Sequence, residues 1–286
     1  MLHKSGTRPL RDKPILADGV GASFMPSDRR LVRWALLGCL LYLATTLLVV
    51  FGLADGLDLA IDRVVYRVFG DDFESAWNLL SLPGGVQMSV AAAAFGAFVA
   101  WVAGSPRRAV VILVAALAGG LLVDGLKTLH ERPYPHHDLP TFTLADGEVA
   151  FLGYRGVQVL PANVTDPYDR DQWQEPNITI RPADLSRFPT SPANAYPSGH
   201  TIGAAVSWGV ALLLATMAVQ RAWTPDRRAV AAVLLLAVVV GVDRVVVRSH
   251  WVTDVVAAWG LGVALVVAAL LADRALKDRW PDRIAA

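Results

Sequence analysis

The sequence predicts an all-α polytopic membrane protein with six transmembrane helices and a long outer loop between the third and fourth. Three observations predict it. Of 286 residues, 54% are hydrophobic and 18% charged, with mean hydropathy +0.43, a balance too apolar for an ordinary soluble domain of this length. Six stretches reach the roughly 20 predominantly apolar residues that a spanning helix needs. Lysine and arginine gather in alternate connections, the pattern that cytoplasmic loops retain.

The six stretches are 32–54, 83–104, 109–126, 198–220, 229–247 and 252–272. The first reads as a retained anchor, because no small-residue cleavage pattern follows it. Residues 1–31 then form a cytoplasmic N-terminal segment, 32–273 the membrane domain with its outer loop at about 127–197, and 274–286 a cytoplasmic tail. Lys4, Arg8, Arg11, Lys13, Arg29, Arg30 and Arg33 precede the first span, and Arg107 and Arg108 follow the second. Arg221, Arg227 and Arg228 follow the fourth, and Arg274, Lys277, Arg279 and Arg283 follow the sixth. All fall on one side, so both termini are expected in the cytoplasm, in the cytoplasmic membrane of a bacterium.

In the connection 55–82, Leu57, Ile61, Val64, Val65 and Val68 recur at helical spacing with Asp58, Asp62, Arg63 and Arg67 between them. This fits a helix lying in the outer interface or packed on its own bundle. In the long loop, nine prolines between Pro133 and Pro192 discourage regular elements, and its size suits a lid or binding surface. Asn163 and Asn177 begin N-x-T sequons that matter only in a secretory pathway. The lone cysteine, Cys39, excludes an intramolecular disulfide and reads as a small buried apolar side chain. A net charge of +1 argues against a nucleic-acid partner. Nothing in the sequence speaks to oligomeric state.

Ionisable residues at membrane depth point to function, and they cluster at the outer ends of spans. "KTLHERP" starts at Lys127 and carries Arg132; "YPSGH" runs from Tyr196 to His200; "DRVVVRSHWVTD" runs from Asp243 to Asp254. In "PSGH", Pro197 fits a helix start, and Ser198 and Gly199 sit in a first turn whose N–H groups and dipole favour an anion. His200 in the same turn could hold or deliver a proton there. His250 and Asp254 are i and i+4, so a helix puts them on one face. A carboxylate on one imidazole nitrogen leaves the other free as a nucleophile. Arg244 offers a fork suited to phosphate oxygens, with Lys127 and Arg132 adding positive charge. Arg248 reads either as part of this set or as a side chain snorkelling to the interface. His130, His136, His137 and Asp138 in a proline-rich loop do not make a metal site.

"K-x4-RP", "PSGH" and "R-x5-H-x3-D", in this order on a six-span chain, resemble the type 2 phosphatidic acid phosphatase family. Its catalytic centre is shared with vanadium haloperoxidases and bacterial acid phosphatases. The resemblance implies that His250 attacks phosphorus, Asp254 orients it and His200 protonates the leaving oxygen. It implies that Lys127, Arg132, Arg244, Ser198 and Gly199 bind the phosphoryl oxygens, and that no metal or other cofactor is needed. The family's first motif is usually K-x6-RP, so Tyr134 fills the arginine slot and Arg132 stands two residues early. Asp243 replaces a serine and is expected to orient Arg244 or Arg248. The implied partners are the bilayer and a lipid phosphate substrate: polyprenyl diphosphate such as undecaprenyl diphosphate, phosphatidic acid or phosphatidylglycerol phosphate. The alternatives are a phosphotransferase using another lipid or sugar headgroup, with Tyr154, Tyr168 and Trp173 of the long loop in the acceptor site, and a non-catalytic lipid-phosphate binding or transport protein.

Overall fold

A computed structural model describes residues 28–69, 79–130, 132, 141–143, 149–153, 156–159, 179–181 and 195–282. The helices, in chain order, are α1 Asp28–Val50, α2 Asp55–Phe69, α3 Val86–Val102, α4 Pro106–His130, α5 Gly199–Val219, α6 Arg227–Val246 and α7 Val252–Ala275. Among them α1, α4, α5, α6 and α7 are long and apolar enough to cross a membrane, and α3 is a shorter apolar helix of 17 residues. The protein is an integral membrane protein.

Helix boundaries shift from the expected ones where local chemistry acts. The first helix starts at Asp28, not Val32, because Arg29, Arg30 and Arg33 are good helix formers and extend its polar first turns. The third expected span runs on to His130 before the Arg132-Pro133 pair stops it. Lys127 therefore lies on the last turn of α4, not in the loop. The long loop also departs from the expectation that prolines leave it irregular. Four short antiparallel strands, β1 Thr141–Thr143, β2 Val149–Gly153, β3 Gly156–Val159 and β4 Thr179–Arg181, pair in sequence order. Their register sets Phe142 against Ala150, Phe151 against Gln158 and Gln158 against Ile180. Each strand falls between prolines and is rich in β-branched or aromatic residues, so the prolines bound the sheet without interrupting it.

The bundle is organised around α5, whose apolar stretch is the most buried of the five long helices. A π turn at Ala204–Trp208 interrupts it. Ile202, Val206, Val210 and Leu214 of α5 pack with Ala97 and Ala100 of α3, Ile112 of α4 and Ala258 of α7. Leu36, Leu40 and Leu43 of α1, Phe95 and Phe98 of α3, and Leu117 and Leu121 of α4 face outward, as lipid-facing positions should. Cys39 is also exposed, on this outward side of α1 and not buried as its residue type suggests. Gly38 and Gly260 bring α1 and α7 together; a Cβ on Gly38 would stand 2.5 Å from the Gly260 carbonyl oxygen.

At the end of the bundle holding the start of α4 and the end of α7, Arg107 and Arg108 are buried, not free loop charges. Their Nε atoms donate to the two oxygens of buried Asp273 at 2.9 and 3.3 Å. Trp223 lies against both guanidinium groups and against Lys277.

The helix α2 forms in the connection where an amphipathic helix is expected. Its exposed face carries Leu57, Val64 and Val68, while Asp58 and Asp62 are buried. The acids turn inward because the bundle offers them arginines.

Candidate active site

The chemistry-bearing residues gather at the other end, where α4 and α6 finish and α5 and α7 begin. Asp254 stands in the first turn of α7, where a carboxylate is favoured by the helix dipole. Its Oδ2 accepts the Trp251 N–H at 3.0 Å and faces His250 Nδ1 at 3.3 Å. Nδ1 must carry the hydrogen in that contact, which leaves a lone pair on Nε2. The i, i+4 spacing is realised differently from the expectation: His250 lies just before the helix, and the N-terminal turn folds it back onto Asp254. Burial pushes the His250 imidazole below its usual range, Asp254 opposes that shift, and Lys127 and Arg244 add to it. The ring is neutral near pH 7 and able to act as a nucleophile.

Ser198 caps α5 and is fully buried; its hydroxyl accepts from Thr201 at 3.0 Å. The helical ladder begins with Ile202 N–H on the Ser198 carbonyl at 3.1 Å, so the N–H groups of Gly199, His200 and Thr201 form the open first turn. A backbone bond from Ser198 N–H to the Asp254 carbonyl, 3.2 Å, ties this turn to α7. Lys127 reaches the same turn: a Cβ on Gly199 would lie 3.6 Å from its Nζ. His200 is electrostatically coupled to Arg244, His250 and Lys127. Two basic groups, Lys127 and Arg244, two imidazoles and a helix N-terminus suited to anions thus converge, an arrangement that can bind a tetrahedral oxyanion, attack it and move a proton.

Arg244 is positioned by its neighbour, as expected for Asp243. Its Nε and Nη2 donate to Asp243 Oδ2 at 3.0 and 2.7 Å, and Nη2 reaches Ser81 Oγ at 2.5 Å. Arg248 does not snorkel. It is buried, adopts the left-handed conformation (φ 55°) where α6 ends, and donates through Nε to Asp62 Oδ1 at 2.9 Å.

Arg132, expected as a phosphate ligand, is held by side chains of α2 and α7. Its Nη1 donates to Asp254 Oδ1 and to Thr253 Oγ1, and its Nη2 to Asp58 Oδ2 at 2.6 Å. Two carboxylates claim the guanidinium on the side of Asp254 away from His250's nitrogen, which follows from its early position in the motif. Burial opposes the charge on Arg132, but Asp254 and Asp58 outweigh it and raise its pKa.

Sequence reasoning missed the turn Ser81-Leu82-Pro83-Gly84. Trp208 Nε1 donates to the Pro83 carbonyl at 2.8 Å, and Gly84 packs against the His200 backbone. A Pro-Gly-Gly turn directly before an apolar run, at the same end as the other motifs, was the available signal. It also missed the inward role of Asp58 and Asp62, because periodicity marks them as polar positions without naming their partners. Tyr134, His136, His137, Asp138, Tyr154, Asn163, Tyr168, Trp173 and Asn177 lie outside the described residues. Among the described residues no group of three or more His, Cys, Asp or Glu side chains is arranged to hold a metal ion.

A groove of about 570 Å³, open on the outward side of the bundle, lies between α3, α4 and α5. Lys127, Asp124 and His200 line it, and Val90, Leu113 and Leu117 continue it along the helices. Leu113 and Lys127 share one helix, so it extends about 21 Å along α4.

Fold and site together define an integral membrane protein with a buried cationic pocket at one end of its helices. The family model described as the PAP2 superfamily matches residues 108–277, more than half of the chain, and the chain belongs to that superfamily. It is a PAP2-superfamily phosphatase embedded in the bilayer, which implies a phosphate-ester substrate. Comparison with curated proteins and with solved structures finds no match.

Proposed function

We propose that the protein is a lipid phosphatase acting on a phosphomonoester or diphosphate of a membrane lipid through a phosphohistidine. The observation that carries the lipid assignment is the apolar groove that begins at Lys127 and His200, follows α4 toward Leu113 and opens on the outward side of the bundle. A soluble phosphate ester has no use for such a groove, whereas an acyl or polyprenyl chain can lie along it. The α3 helix, 17 residues long, completes six spans, since about 17 residues is the short limit for crossing.

In the proposed mechanism His250 Nε2 forms a bond to phosphorus as the bond to the leaving oxygen breaks, and His200 gives that oxygen a proton. Asp254 holds Nδ1–H and stabilises the positive ring that develops. Water, deprotonated by His200, then attacks phosphorus; the N–P bond breaks, releasing phosphate and restoring both imidazoles. Lys127, Arg244 and the first-turn N–H groups of Gly199, His200 and Thr201 neutralise charge on the equatorial oxygens. Arg132 acts on Asp254 and not on phosphate. The end bearing Arg29, Arg33, Arg227, Arg228 and Arg274 supports a cytoplasmic placement of both termini, with the pocket at the outer leaflet.

The test is phosphate release by the full-length protein in detergent from polyprenyl diphosphate, phosphatidic acid, phosphatidylglycerol phosphate and a water-soluble phosphate ester. Lipid substrates are expected to exceed the soluble ester in kcat/KM by at least about tenfold, the effect of roughly 1.4 kcal/mol of chain binding. Equal values overturn the lipid assignment. Release that requires a second lipid or sugar identifies a phosphotransferase, and tight binding without release a non-catalytic protein.

A further inference from the structure

We propose that Asp58 is a positioning residue of the reaction, acting on His250 through Arg132 and Asp254. The proposal rests on the reading of His250 as the nucleophile. Asp58 lies on α2, ahead of the segment matched by the family, 108–277.

Four side chains form one buried series. Asp58 Oδ2 accepts from Arg132 Nη2, Arg132 Nη1 donates to Asp254 Oδ1, and Asp254 Oδ2 faces His250 Nδ1. A single guanidinium is thus shared by two carboxylates. With Asp254 as its sole acid, Arg132 would draw more of that carboxylate's charge and leave less to stabilise the Nδ1–H of His250. Asp58 takes half of the guanidinium and keeps Asp254 anionic toward the imidazole. A second route runs through the backbone: Asp58 Oδ1 accepts the Thr253 N–H at 3.1 Å, and Oδ2 the Thr253 hydroxyl at 2.6 Å. The residue before Asp254 is therefore fixed by the same carboxylate. Asp62, one turn along α2, makes an equally buried pair with Arg248 at the end of α6. The two acids dock the same helix, and the series to the imidazole runs through Asp58.

The test is the ring titration of His250, followed by NMR on the full-length, histidine-labelled protein in detergent and assigned with His250→Gln. Asp254 from α7, Lys127 from α4, Arg244 from α6 and His200 from α5 also bear on His250 and stay unchanged in each variant. Asp58→Asn is expected to lower the His250 midpoint by roughly half a unit or more and to reduce kcat roughly 10–100-fold with little change in KM. Asp58→Glu should recover most of the midpoint. Asp62→Asn should leave it in place. An unmoved midpoint in Asp58→Asn, or an equal displacement in Asp62→Asn, overturns the proposal. Should Asp58→Asn not fold, Arg132→Gln breaks the series from its other side and must raise the midpoint; no rise overturns the proposal equally. A wild-type protein that releases no phosphate while Asp58→Asn still moves the midpoint defeats the functional reading alone. An active wild type with an unmoved midpoint defeats this proposal alone.

Discussion

A methyl group on Gly84 would stand 2.3 Å from the backbone oxygen of His200. The two residues are joined by no motif, yet the contact sets where the first turn of α5 sits. Any Cβ at position 84 must displace that turn. Gly84→Ala is therefore expected to lower kcat by about 100-fold, the scale of an ångström's misplacement of reacting groups. Steady-state kinetics on a lipid phosphate check it, and near-normal kcat would show that the turn yields freely.

His250→Ala should abolish phosphate release with normal expression, because among the described residues no other imidazole is held on a carboxylate. Asp254→Asn should retain measurable activity, since an amide can still orient the ring. The acid limb of the kcat/KM profile is expected below the ordinary histidine value of 6.5, because burial depresses the His250 pKa and the attacking ring must be neutral. Activity thus persists as pH falls to 6.5 and is lost only below it. A limb well above that value would assign the titration to another group.

Lys127 and Arg132 are expected to separate kinetically. Lys127→Met removes charge from the phosphoryl oxygens and should raise KM as well as lower kcat. Arg132→Lys leaves the pocket intact but cannot bridge Asp58 and Asp254, so its loss should appear in kcat. A rise in KM for Arg132→Lys equal to that for Lys127→Met would return Arg132 to the phosphate.

Asp273→Ala leaves Arg107 and Arg108 buried without their shared carboxylate, which costs about 3–5 kcal/mol by analogy with broken buried pairs. Thermal unfolding in detergent should fall sharply, while kcat well below the transition stays near wild type, because the cluster lies at the opposite end from His250. A large loss of kcat with unchanged unfolding would contradict that separation.

Sidedness follows from the same two ends. In a Cys39→Ala background, a cysteine at Ala162 should react with an impermeant thiol reagent in intact cells, after outer-barrier permeabilisation where there is one. A cysteine at Arg227 should react only after the cytoplasmic membrane is opened. The reversed pattern would place the pocket in the cytoplasm.

The sequence determined what short-range chemistry can encode. Spans follow from runs of apolar residues, the anion-suited turn of Ser198-Gly199-His200 from a helix start, and the His250–Asp254 contact from a four-residue separation, because each is set within a few residues. The spacing of Arg132 announced a departure but not its destination. Only the tertiary structure decided that Arg132 bridges Asp254 and Asp58, that Asp58 and Asp62 point inward, that Arg107 and Arg108 are buried on Asp273, and that Ser81 and Gly84 belong beside Arg244 and His200. Each of these joins residues distant in the chain. A charged side chain in an apolar bundle takes whichever opposite charge the packing brings within reach, and hydrophobic periodicity, which gives the face of a helix but not its neighbour, carries no record of that choice.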